Sequence, residues 1–173
     1  SLPTINFLLD KDCKIIIATH LGRPGGRIVP ELSVQPLIKE LKKQIDRSDV
    51  NTITKIDLNN RVIGKIHTAK KTKIFFLENL RFNPQEEKND LVFAKKLASL
   101  ADVYVNDAFG VCHRKHASID AITHFLPSMP GFLIETEMDQ LNKALKPKRP
   151  SAWILGGAKL DKVDLIKQAL DKA

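Results

Sequence analysis

Three arginines each stand a few residues beyond a short apolar run, the spacing that delivers side chains to one rim of a sheet. Arg23 lies in His20-Leu21-Gly22-Arg23-Pro24 after residues 14–19 (KIIIAT), and Arg81 in Glu78-Asn79-Leu80-Arg81-Phe82 after 73–77 (KIFFL). Arg114 lies in His113-Arg114-Lys115-His116, beyond 103–106 (VYVN). A guanidinium presents parallel donors and keeps its charge, so it suits phosphate or carboxylate. Each well-placed bond of this kind contributes roughly 1.5–3 kcal/mol. One such arginine alone reads as a surface ion-pair partner; three in phase, with histidines beside them, read as a site for a small anion carrying both phosphate and carboxylate. Gly22 permits a tight turn and Pro24 fixes its exit. Gly156-Gly157-Ala158-Lys159 lies between a strand pattern and a helix pattern, where backbone N–H groups can face an anion. It is neither the P-loop nor the Gly-x-Gly-x-x-Gly pattern, and taken alone it is a tight strand-to-helix turn.

Other chemical residues read more plainly. Cys112, His113 and His116 lack a further ligand nearby, so no metal site is assigned. His67 and His124 read as structural, and the lysine pairs 42–43, 70–71 and 95–96 as solvated faces. Asp107 either orients a basic neighbour or caps the next helix.

The elements that must position these groups alternate. The runs 14–19, 73–77, 103–106 and 152–155 (AWIL) lack period-2 alternation, as strands covered on both faces do. Between them run helical patterns: Val34, Leu37, Ile38, Leu41 and Ile45 behind a Ser33 cap, then Leu91, Ala94, Leu97, Ala98 and Ala101 behind Asn89-Asp90. This order predicts a parallel sheet with crossover helices, whose ligands bind beyond the carboxyl ends of the strands. Ile134, Met138, Leu141 and Leu145 predict a bridging helix after the Pro127–Gly131 break. Residues 46–72 are polar, with at most a short helix over 61–69.

The length of 173 residues fits one domain plus part of another. With 43% hydrophobic and 28% charged residues the chain can fill a core, which excludes a disordered or collagen-like class. The longest aliphatic stretch, 15–18, is far short of a membrane span. Two separated cysteines, Cys13 and Cys112, and no visible secretory leader point to a cytoplasmic protein without a membrane. A net charge of +8 predicts an anionic partner without naming it.

Together these motifs resemble the phosphoglycerate kinase family. The resemblance rests on Leu2-Pro3-Thr4-Ile5, His20-Leu21-Gly22-Arg23-Pro24, Leu32-Ser33-Val34, Leu77-Glu78-Asn79-Leu80-Arg81-Phe82 with Glu86-Glu87, Val105-Asn106-Asp107-Ala108-Phe109-Gly110, His113-Arg114-Lys115-His116-Ala117-Ser118 and Leu155-Gly156-Gly157-Ala158-Lys159, in family order across nearly the whole chain. It implies an α/β, parallel-sheet, Rossmann-like three-layer domain, then an interdomain helix and the first βα unit of a second α/β domain. The implied bounds are a phosphoglycerate-binding domain over 1–130, helix and linker over 131–149, and the start of a nucleotide domain over 150–173. The family's opening Asp-Phe-Asn strand would precede Ser1, and most of the nucleotide domain would follow Ala173.

The implied activity is reversible phosphoryl transfer between 1,3-bisphosphoglycerate and ADP, giving 3-phosphoglycerate and ATP in glycolysis, with Mg2+ on the nucleotide. This stretch alone would bind phosphoglycerate without turnover. The resemblance assigns substrate binding to His20, Leu21, Gly22, Arg23, Arg81 and Arg114, and nucleotide binding to Gly156, Gly157, Ala158, Lys159 and Lys162. Arg23 and Lys159 carry the catalytic assignment. In the family three residues separate the lysine of Gly-Gly-Ala-Lys from a second lysine, whereas here only Leu160 and Asp161 separate Lys159 from Lys162. A monomer with no nucleic-acid partner is expected. The rival readings are a basic nucleic-acid-binding module and a non-catalytic sugar-phosphate binder. With 6% aromatics, and with Trp153 and Tyr104 in strand patterns, little is left for base stacking.

Overall fold

A computed structural model describes residues 1–45, 50–53 (backbone only), 66, 68–69, 73–148 and 152. The predicted strand over 152–155, Trp153, His67 and the whole turn from Gly156 to Lys162 lie outside the described residues.

The chain opens with helix α1, Leu2–Asp10, which has Pro3 in its first turn, where the missing N–H is no loss. It ends in a Schellman motif: the Cys13 and Asp12 amides return to the Leu8 and Leu9 carbonyls, both at 3.0 Å, with Asp12 left-handed at φ 58°. Strand β1, Ile15–Ile17, follows. Helix α2, Gln35–Gln44, precedes strand β2, Val50–Ile53, and then strand β3, Ile74–Leu77. The strands form a parallel sheet in the order β1-β3-β2, with Ile15 opposite Ile74 and Val50 opposite Ile74 on the other side. Helices α3, Pro84–Glu87, and α4, Leu91–Ala98, lead to strand β4, Tyr104–Asn106. Strand β5, Ser128–Pro130, pairs with β4 in a second parallel ladder, and helix α5, Phe132–Leu145, follows it.

All four side chains of β3 are buried, and their alternation divides them between two cores. Ile74 and Phe76 pack with Leu9 of α1, Ile15 of β1, and Val34 and Ile38. Phe75 and Leu77 pack with Phe93, Ala94, Leu97 and Ala98 of α4 and with Ala117, Ala121 and Ile122. A sheet covered on both faces is the three-layer arrangement expected of its unbroken apolar runs.

Several expectations change. Residues 46–72 were read as containing at most a helix, yet Val50–Ile53 is an outer strand. The Pro127–Gly131 break contains β5. Val34, not Ser33, stands at the N-cap of α2, its amide donating to the Glu78 carboxylate at 2.9 Å, while Ser33 Oγ still accepts from the Gln35 amide at 3.3 Å. Asp90 does cap α4, its side chain accepting from the Phe93 amide at 2.7 Å. Asp107 shares in both readings, though not at the next helical turn: its Oδ1 accepts from the Leu133 amide at 2.9 Å at the start of α5, and its Oδ2 lies 3.9 Å from the Ser1 amino group. Thr4 Oγ1 accepts from the neighbouring Phe132 amide at 3.1 Å, so two distant side chains serve the donors that Gly131 cannot. No helix among the described residues is long and apolar enough to cross a membrane.

Candidate anion site

The loops leaving β1 and β3 are fastened together by the backbone and by one buried amide. The Leu80 amide donates to Thr19 O at 3.0 Å, and the Gly26 amide to Arg81 O at 3.2 Å. Asn79, fully buried, sends Nδ2 to the carbonyls of Leu21 and Leu32, both at 2.8 Å, while its Oδ1 accepts from the Arg81 amide at 3.1 Å. Both donors of this amide therefore hold Leu21 and Leu32 against the end of β3, while its oxygen fixes the turn into Arg81.

Arg81 is only 4% exposed. Its Nη1 donates to Gly22 O at 2.9 Å, and its Nε lies 3.4 Å from Glu87 Oε1 without a hydrogen bond. It thus shapes the turn that carries Arg23, besides adding charge beneath it. Arg23 and Gly22 are exposed, Leu21 and His20 are partly buried, and Pro24 is buried beneath them. Gly22 has φ +64°, and a Cβ there would stand 2.7 Å from Leu32 Cδ2. Gly22→Ala is expected to destabilise the chain by about 2 kcal/mol, from left-handed strain plus crowding. A urea midpoint equal to that of the parent would contradict this role for the glycine.

The third segment is tied in by Glu86, a residue to which sequence reasoning gave no role. Glu86 is 3% exposed, and its carboxylate accepts from Ser118 Oγ at 2.6 Å and from the Ser118 amide at 3.1 Å. Its carbonyl takes the Ala117 amide at 2.9 Å, and His116 Nδ1 lies 3.9 Å from its carboxylate. The loop bearing Arg114 is thereby fixed to α3, which begins three residues after Arg81. Arg114 is partly buried, with a buried Nε that has no hydrogen-bond partner, while His113 and Lys115 are exposed.

Charge shows that these segments share one region. Burial first, then repulsion from Arg81, His116 and Arg114, pulls His20 below its ordinary 6.5, against an opposing pull from Glu87. His116 is likewise lowered, by burial and then by Arg81, with Arg114 and His113 adding to it and Glu87 opposing. Two guanidiniums thus act on both imidazoles, which places Arg81, Arg114, His20 and His116 in one region; Arg23 stands exposed on the turn that Arg81 holds. At neutral pH both imidazoles are uncharged donors that an arriving anion would help to protonate.

The sign for stability follows. Unfolded imidazoles titrate near 6.5, above their folded values, so acidification below that point protonates the unfolded chain first and removes stability. Glu86 opposes this: burial raises its carboxyl above 4.5, despite the Ser118 bonds, so its contribution grows on acidification. The melting temperature of His20→Gln/His116→Gln should therefore fall less between about pH 7.5 and 5.5 than that of the parent. Parallel profiles would contradict it.

The family model described as phosphoglycerate kinase matches residues 1–173. The chain belongs to the phosphoglycerate kinase family. Its curated relatives include the phosphoglycerate kinase of Moorella thermoacetica, 46% identical over 99% of this chain, and that of Chlorobium phaeobacteroides, 43% identical over 99%. Among solved structures, phosphoglycerate kinase from Coxiella burnetii aligns with TM-score 0.81 at 30% identity, covering 99% of this chain and 43% of that one. The enzyme from Pyrococcus horikoshii aligns with TM-score 0.80 at 30% identity over 97% of this chain and 44% of that one. The chain spans 44% of the length of the curated phosphoglycerate kinases it matches.

Proposed function

We propose that the protein transfers a phosphoryl group reversibly between 1,3-bisphosphoglycerate and ADP, giving 3-phosphoglycerate and ATP, and that this chain supplies the phosphoglycerate side of the site. The observation that carries the proposal is the fastening of three basic loops beyond parallel strands: Asn79 and Arg81 bind the turn bearing His20 and Arg23, and Glu86 binds the loop bearing Arg114 and His116. Within this reading residues 1–130 are the phosphoglycerate domain and 131–149, with α5, the connection between domains. Residues 150–173 begin the nucleotide domain, in a monomeric cytoplasmic enzyme.

In the ATP-consuming direction the acceptor is a carboxylate with an ordinary pKa of ~4, already ionised at neutral pH, so no general base is needed. The work left to the protein is positioning and charge neutralisation. Arg23, Arg81, Arg114 and His20 hold the phosphoglycerate anion, with Leu21 and Gly22 forming the turn beside it, and Arg81 also braces that turn through its bond to the Gly22 carbonyl. Gly156, Gly157, Ala158, Lys159 and Lys162 are assigned to the Mg2+-bound nucleotide, with Lys159 and Arg23 countering charge on the group in transfer. Closure of the two domains brings the substrates together and excludes water.

The nucleic-acid reading rests on the +8 net charge. Against it, Tyr104 packs beside the core of the sheet, where burial, with a smaller push from Glu86, drives its phenol pKa upward. Calorimetric titration separates the readings. The chain should bind 3-phosphoglycerate saturably and an oligonucleotide weakly, and Arg23→Ala should weaken phosphoglycerate binding about tenfold, the share of one exposed charge-assisted bond. Micromolar oligonucleotide binding with no response to millimolar phosphoglycerate would overturn the proposal.

A further inference from the structure

Glu86 is the only acidic side chain recorded as buried among the described residues, and it is not spent on a surface ion pair. It receives both donors of Ser118, its carbonyl receives Ala117, and its carboxylate faces His116. The groups around it are Arg81 and Glu87 from the β3 rim and α3, His116 and Ser118 from the loop, and Tyr104 from β4. All its direct hydrogen bonds from the loop fall just after Arg114, and the His116 amide returns to Arg114 O at 3.1 Å, closing a tight turn around that arginine.

We propose that Glu86 is a positioning residue for anion binding: it latches residues 114–118 to α3 so that the Arg114 guanidinium and His116 stand opposite Arg81 and His20. The inference rests on the phosphoglycerate-binding reading and extends it to a residue that touches no substrate. A buried carboxylate is a costly way to fasten a loop, since burial alone disfavours its charge. It is suited to the task because a carboxylate accepts from the Ser118 hydroxyl and amide at once and still faces an imidazole. A glutamine side chain offers one acceptor oxygen in place of two, and an NH2 where the other stood.

The test uses the parent chain, Glu86→Gln, Ser118→Ala, their double variant and Asp90→Ala, titrated with 3-phosphoglycerate and followed by amide exchange. Asp90→Ala removes a helix cap four residues beyond Glu86 while leaving both Ser118 bonds to the Glu86 carboxylate in place, and so serves as a control for lost stability with the latch intact. Glu86→Gln is expected to raise the dissociation constant about tenfold, equivalent to about 1.4 kcal/mol. Ser118→Ala should raise it less, the double variant should raise it by less than the product of the two, and the Ala117 and Ser118 amides should exchange faster. Ser118→Ala reads the same link if Glu86→Gln does not fold. A dissociation constant unchanged in both single variants, or raised no more than in Asp90→Ala, would overturn the latch while leaving the phosphoglycerate reading intact. A parent chain that ignores 3-phosphoglycerate would overturn both.

Discussion

Asn79→Ala should melt about 10 °C below the parent chain, the largest loss expected from any polar substitution in the site. The side chain is fully buried, and its removal strands the Leu21 and Leu32 carbonyls and the Arg81 amide together. Three orphaned groups at about 1–3 kcal/mol each sum to about 3–9 kcal/mol; even the lower end, at roughly 2–4 °C per kcal/mol for this chain length, gives a drop of about 10 °C. Asn79→Asp should do no better, because it keeps the acceptor but replaces both donors by a charge facing two carbonyls. Differential scanning calorimetry decides it. A midpoint within about 2 °C of the parent, the shift of a single kcal/mol or less, would mean that Asn79 does not join the two loops.

Arg81→Ala should weaken 3-phosphoglycerate binding by at least about 100-fold, or about 2.7 kcal/mol. The substitution removes charge from beneath the site and also frees the Gly22 carbonyl, so the turn bearing Arg23 loses its brace. Arg81→Lys separates the two contributions. It restores the charge without the fork, and should recover only part of the loss. Calorimetry with heparin as a general polyanion completes the comparison: heparin affinity should change far less than phosphoglycerate affinity. Equal weakening toward both would reduce Arg81 to one unit of net charge.

How much of this was legible in the sequence depends on how local each signal is. β3 announced itself, because Ile74, Phe75, Phe76 and Leu77 are apolar without alternation and each one is buried. The Asp90 cap was equally readable, being contained within one turn; the stripe behind it held at Ala94, Leu97 and Ala98, while Leu91 is exposed and Phe93 lies in the core instead. Helix α1 was not recognised, since its stop signal is Asp12 rather than glycine in the left-handed position. The outer strand Val50–Ile53 was missed because Asn51 and Thr52 dilute its apolar content. Ser33 looked like a cap because of its type, but the acceptor that serves the Val34 amide is Glu78, 44 positions away.

The site divides in the same way. The arginines and His20 could be named because residue type and position after a strand already specify their chemistry. The roles of Asn79 and Glu86 could not, because both act by joining segments far apart in the chain, Glu86 and Ser118 being separated by 32 positions. Family resemblance named the motif around each without supplying a reason. Asp107 stood between two readings until Leu133 appeared opposite it, and no local pattern could have selected that partner.

The central claim is that basic groups from three loops grasp one small acid ester. Its most direct measurement is a crystal structure of this chain with 3-phosphoglycerate. The ligand is expected at the carboxyl ends of β1 and β3, with Arg23, Arg81, Arg114 and His20 in contact with its oxygens and Arg81 still bound to the Gly22 carbonyl. Ligand density on another face of the molecule, with those side chains untouched, would contradict it.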